Sequence, residues 1–134
     1  MKFTSRIYGV LAVAFALSAC SDSPTSPGVQ PQITNLTDDF AYQVTDVQNY
    51  SSVDNYAWQN TGTDASVDHS TSVTSGSATL VILDGAGTQV YSRSLDESGS
   101  FPTGTGVAGT WTIRIVYSAT VSPAVNFRVQ KATP

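Results

Sequence analysis

The sequence predicts an all-β fold, a single antiparallel β-sandwich of about seven or eight strands, on three observations. Helix-forming residues nearly vanish from Ile33 onward, where Val, Thr, Ser and aromatic residues abound beside one Glu, one Lys, four Leu and no Met. Branched and aromatic side chains suit the pleated, half-buried surface of a strand. Apolar and polar residues alternate at period two, which sets one face in a core and the other in water, the mark of antiparallel sheets. Turn-forming clusters recur at short intervals over about 100 residues, a length that buries one shared core without disulfides.

The elements follow in order. Phe40, Tyr42 and Val44 alternate with Ala41, Gln43 and Thr45. Tyr56 and Trp58 alternate with Ala57 and Gln59, and a turn is expected at Asn60-Thr61-Gly62. Ala65, Val67, Thr71 and Val73 alternate with Ser66, Ser70 and Ser72, up to a turn at Ser75-Gly76. Leu80-Val81-Ile82-Leu83 is apolar on both faces and is expected at the centre of a sheet. Asp84-Gly85-Ala86-Gly87 then turns the chain into a returning strand, Thr88 to Leu95, before another turn at Ser98-Gly99. Trp111, Ile113, Ile115 and Tyr117 stand against Thr110, Thr112, Arg114 and Ser118. A turn at Ser122-Pro123 leads to Val125, Phe127 and Val129, set against Asn126, Arg128 and Gln130.

Residues 78 to 130 carry a resemblance. The hairpin Leu80 to Gly87, the stretch Gly106 and Gly109-Thr110-Trp111-Thr112-Ile113-Arg114-Ile115, and the last strand Asn126-Phe127-Arg128-Val129 look like the closing strands of secreted bacterial jelly-roll modules. Pre-peptidase C-terminal domains and the P-domains of proprotein convertases end in this way. The resemblance implies a jelly-roll-like sandwich of an accessory kind. It does not carry function with it, and the paired acids that bind calcium in some of those modules are not evident here.

The first residues read as an address. Lys2 and Arg6 form a positive n-region, and Ile7 to Leu17 is uncharged and mostly apolar. That stretch reaches only about 16 Å as a helix, roughly half the hydrocarbon slab, so it is a secretory signal and not a stable span. Leu17-Ser18-Ala19-Cys20 matches at every position the lipobox of bacterial lipoproteins, which the chain resembles over residues 1 to 20. The resemblance implies that Leu17, Ser18 and Ala19 are recognised by the signal peptidase. It also implies cleavage before Cys20 and a thioether-linked diacylglycerol on its thiol, with N-acylation of the new terminus. Two or more acyl chains anchor stably where one does not. Ser21 after the Cys resembles the default outer-membrane sorting signal. The domains expected are then a signal peptide at 1–19, a lipidated Cys and Pro/Ser-rich linker at 20–32, and the sandwich at 33–132. Twelve linker residues reach about 37 Å at most, enough to lift a domain clear of the headgroups.

Composition excludes several classes. The formal charge of −4 repels nucleic-acid phosphates. Without residues 1–19, four basic residues (Arg93, Arg114, Arg128, Lys131) face ten acidic ones, a charge near −6 with no basic stripe for anionic headgroups. One Cys permits no intrachain disulfide or cysteine cluster, and one His permits no paired-His zinc motif. No cofactor or metal is expected. Gly104-Thr105-Gly106-Val107-Ala108-Gly109 spells a dinucleotide fingerprint, but a strand follows it where the motif needs a helix, so it reads as an inter-strand loop. His69 lacks a nucleophile-elbow partner and shares phase with Val67 and Val73, toward the sheet's apolar face or its edge, which favours a structural or surface role. Asp38-Asp39, Asp64, Asp68, Asp84 and Asp96-Glu97 fit no EF-hand spacing and suit turns and wet faces.

The expected function is that of a non-enzymatic cell-envelope lipoprotein, held to membrane lipid through Cys20 and presenting a surface to an envelope protein. A second reading is a carbohydrate-binding module that grips a glycan with exposed aromatics, for which Tyr56 and Trp58 are the candidate ligand-binding residues. A third is a small envelope hydrolase or metal-dependent enzyme.

Overall fold

The computed structural model describes residues 29–132. They form seven antiparallel strands: β1 (Gln32–Leu36), β2 (Asp39–Asn60), β3 (Ala65–His69), β4 (Ser75–Leu83), β5 (Gln89–Ser94), β6 (Gly99–Pro102) and β7 (Gly109–Lys131). The order is β1-β2-β7-β3-β6, with β4 paired to both β7 and β5.

The architecture is a long ribbon doubled over. β2 has 22 residues and β7 has 23, and they pair from Asp39↔Gln130 to Asn60↔Gly109, with register shifts around Val47, Tyr50 and Ser52. The two ends of β2 meet: the Asp38 N–H donates to the Gln59 carbonyl (2.9 Å). The first half of β2 and the second half of β7 thus form one layer with β1, β3 and β6. The other halves form a second layer with β4 and β5.

The fold line lies where the backbone leaves the β region. Asp46 (φ 59°), Asn49 (φ 48°) and Ala119 (φ 46°) are left-handed, beside Gly76 (φ 73°). Asp and Asn take this conformation at modest cost because their short polar side chains bond locally, whereas Ala has no such relief. Ser51 Oγ accepts the Ala119 N–H (2.8 Å), so the two bends are tied together.

The alternation maps onto the core. Phe40, Tyr42, Val44, Trp58, Val67, Trp111, Ile113, Ile115, Tyr117, Val125, Phe127 and Val129 are all buried between the layers. Leu80 to Leu83 is central as expected, β4 lying between β5 and β7, with Leu80 and Ile82 inward.

Three local expectations are corrected. Ser75-Gly76 is no turn but an irregularity within β4, where the ladder skips from Ser75↔Val121 to Ser77↔Ser118. Ser122-Pro123 does not divide two strands; β7 runs through it. Pro123 falls where the β2 ladder steps from Thr45↔Ala124 to Val47↔Ser122, opposite the left-handed Asp46, so its missing N–H breaks no strand pair. The strand expected up to Val73 ends at His69. Beyond it Thr71 Oγ1 accepts the Asn126 N–H (2.8 Å) and donates to the Asn126 carbonyl (2.9 Å), a side chain doing a strand's bonding.

Candidate functional site: a tyrosine-lined sheet edge

β1 pairs only with Asp39–Gln43 of β2, so the half of β2 from Tyr50 to Asn60 has β7 as its sole strand partner among the described residues. Near its end this edge is capped. Asn35 Nδ2 donates to the Ala57 carbonyl (2.8 Å), and the Trp58 indole N–H donates to the Leu36 carbonyl (3.0 Å). From Ser51 to Asn55 no such cap is present among the described residues.

Along this edge Tyr50, Ser52, Asp54 and Tyr56 are half-buried, while Ser51, Val53, Asn55 and Ala57 are exposed. A carboxylate therefore stands in phase with inward-facing aromatics. Asp54 Oδ1 accepts the Ser52 hydroxyl (2.6 Å) and Oδ2 accepts the Tyr50 hydroxyl (3.3 Å). Behind them the Tyr42 and Tyr117 hydroxyls bond each other across the two layers at 2.6 Å. Tyr50 meets Tyr117 edge-on (4.9 Å between centroids), and Tyr56 tilts against Tyr42 (6.0 Å) and Phe40 (5.9 Å). Burial raises the Tyr42, Tyr56 and Tyr117 hydroxyl pKa values, and the negative charge of Asp54 adds to the effect in all three.

The ion pairs of the described residues are Arg93–Glu97 (2.8 Å), Arg128–Asp39 (2.8 Å) and Lys131–Asp38 (3.7 Å). Asp54 has no Lys or Arg partner among them. It is a half-buried carboxylate beside tyrosine rings, bonded among the described residues by the Tyr50 and Ser52 hydroxyls and by no cation. Such a site suits a cation, which gains from the carboxylate and from the neighbouring aromatic rings together.

Comparison with known proteins places no name on this arrangement. No family model matches the chain, and no curated protein matches it. Among solved structures, a glycosylation associate protein (Gap123) complex from Streptococcus agalactiae is similar at 12% identity, with a TM-score of 0.44. That alignment covers 84% of this chain but only 42% of the other.

The residues singled out in the sequence fall in different places. Leu17, Ser18, Ala19 and Cys20 lie outside the described residues. Tyr56 belongs to the edge site. Trp58 does not: it is 1% exposed and packed edge-on against Trp111 (5.9 Å), so no sugar ring can stack on it. Among the described residues no aromatic side chain is exposed, because the doubled ribbon turns them all toward the space between the layers.

His69 is buried, which decides for the apolar face over the sheet edge that its phase with Val67 also allowed. Its Nδ1 bonds the Glu97 carbonyl (2.9 Å), which can only accept, so Nδ1 carries the proton and Nε2 accepts the Tyr91 hydroxyl (2.9 Å). Burial holds the imidazole pKa down and pushes the Tyr91 hydroxyl up to about 12. The glycine-rich segment is an inter-strand loop clasped by Asp84. The carboxylate of Asp84 accepts N–H groups from Ala86 (2.9 Å), Thr88 (2.9 Å) and Val107 (2.8 Å), and these hold its pKa below the usual carboxylate range. A Cβ on Gly106 would lie 2.5 Å from the Asp84 Cβ, which is why that position has none. Asp38, Asp39, Asp64, Asp68 and Asp96-Glu97 are dispersed, and no group of three or more His, Cys, Asp or Glu among the described residues could hold a metal.

Reading the sequence for chemistry missed Asp54. The signal was present in Tyr50-x-Ser52-x-Asp54-x-Tyr56-x-Trp58, an acid in phase with aromatics.

Proposed function

We propose that the chain is a non-enzymatic lipoprotein of the cell envelope, tethered through Cys20, whose sandwich presents the open edge of β2 to another protein. The observation that carries this reading is the Ser51–Asn55 edge, with Val53 55% exposed on its outer side and the Tyr50–Asp54–Tyr56 recess on its inner side. Unpaired edges invite strand addition, and proteins that do not use them blunt them with Lys, Pro, bulges, inward-pointing charges or a cover. From Ser51 to Asn55 this edge has no Lys, Pro or cover among the described residues, only the register irregularity between Tyr50 and Ser52 and the inward Asp54. The lipobox supplies the tether, and a charge near −6 after cleavage favours a basic partner over an acidic one.

The test is made in the producing cell with a photo-crosslinking residue at Asn55. The expected result is a discrete protein adduct that disappears in Cys20→Ala, together with a mature mass that begins at Cys20 and carries acyl chains. A mature terminus elsewhere with a bare thiol removes the tether. An Asn55 probe that yields no adduct in the lipidated protein removes the interaction edge.

A further inference from the structure

We infer that the β2 edge takes a partner segment in extended conformation that carries a lysine or arginine, seated against Asp54 between Tyr50 and Tyr56. This rests on the edge reading above and names the chemistry of its partner. Two independent observations meet here. The first is the backbone: Ser51–Asn55 is a strand with one side unpaired among the described residues, so an incoming strand completes a ladder. The second is charge: Asp54 is half-buried, bonded by the Tyr50 and Ser52 hydroxyls, and outside every ion pair of the described residues.

Period-two geometry links them. A strand added beside β2 places alternate side chains on the same inner face as Tyr50, Ser52, Asp54 and Tyr56. One basic side chain at the right register lies directly across from Asp54, with its stem along the tyrosine rings and its charge on the carboxylate. An acidic or apolar residue there leaves the anion half-desolvated and unpaired, which gives the site its selectivity. A second copy of this chain is a poorer occupant, since its four basic residues face ten acidic ones after cleavage.

The experiment uses the full chain in detergent micelles and two synthetic eight-residue Thr/Val peptides, one with a central Lys and one with Gln in its place. Titration calorimetry is expected to show the Lys peptide binding at least about tenfold more tightly than the Gln peptide, a preference that weakens with salt. Asp54→Asn keeps one hydroxyl as a donor to its amide oxygen and lets the other accept from its amide N–H, and it is expected to erase that preference without changing the affinity for the Gln peptide. Asp46→Asn, at the exposed bend, is expected to leave it intact. Equal binding of both peptides to the unaltered chain overturns the cation pairing but leaves the edge reading standing. Failure of both peptides to bind overturns the inference and the edge reading with it. A salt-sensitive dimer in sedimentation that Val53→Lys dissociates identifies a second copy as the occupant and overturns the basic partner.

Discussion

His69 is the single imidazole of the chain, and its neutral form is built into the fold. Burial holds its folded pKa below the ordinary histidine value of about 6.5, so below about pH 6.5 the unfolded chain binds the proton more readily. Stability is full above that pH and declines as pH falls from it toward the depressed folded pKa. Urea unfolding at pH 7.5 and 5.5 is expected to show a lower midpoint at 5.5, and His69→Gln is expected to remove most of that difference. The carboxylates act in another window. Asp38, Asp39 and Asp84 have folded pKa values below 3.8, and their contribution is lost only as pH falls below about 4. Asp84 also explains a glycine: Gly106→Ala forces a Cβ onto it and is expected to lower the melting temperature by roughly 5 °C or more. The phase of His69 with Val67 was legible, and the structure decided its burial. The Asp84 clasp was not, because its partner Val107 is 23 residues away and no local pattern marks the contact.

At the scale of elements, the two long strands must bend sharply while staying paired. Three non-glycine residues in β2 and β7 supply the bend, and only one lacks a polar side chain to ease it. Ala119→Gly removes that strain and is expected to stabilise the protein by about 0.5–1 kcal/mol in chemical denaturation. The neighbouring Gly76 behaves oppositely, since a Cβ there would stand 2.1 Å from the Ala119 carbonyl oxygen. Gly76→Ala is expected to cost about 2 kcal/mol or more. Ser122-Pro123 and Ser75-Gly76 carry real breaker signals, yet both mark irregularities inside strands. Turn propensity reports a local departure from regular pairing, and whether the chain reverses or merely bends depends on the strand beside it.

For the whole molecule, the two layers are joined by apolar packing and by the Tyr42–Tyr117 hydroxyl pair at their centre. Tyr42→Phe leaves the buried Tyr117 hydroxyl unpartnered and is expected to cost about 1–2 kcal/mol. The double variant Tyr42→Phe/Tyr117→Phe is expected to recover part of that loss, and a double-mutant cycle measures the coupling. The same doubling of the ribbon creates the open edge. β1 reaches only Gln43 along β2, so from Ser51 to Asn55 one layer ends with no strand across from it among the described residues. The Tyr50–Asp54–Tyr56 recess is a property of that closure and not of any single strand.

Period-two alternation depends only on neighbours along the chain, so the sequence already assigned core-facing sides at 40–45, 56–59, 65–67, 110–118 and 125–130, but not in β1, β6 or the middle of β2. Trp111, Ile113, Ile115 and Tyr117 could be assigned to one face with no knowledge of their partners. The tertiary structure was needed to show that Phe40 to Val44 and Tyr56 to Trp58 belong to one strand, that this strand pairs with residues 109–130, and that among the described residues no strand pairs with the outer side of Ser51–Asn55. Pairing across so many intervening residues is settled by the competition of whole strands for partners, so the in-phase acid at Asp54 was readable from the sequence but its place on an open edge was not.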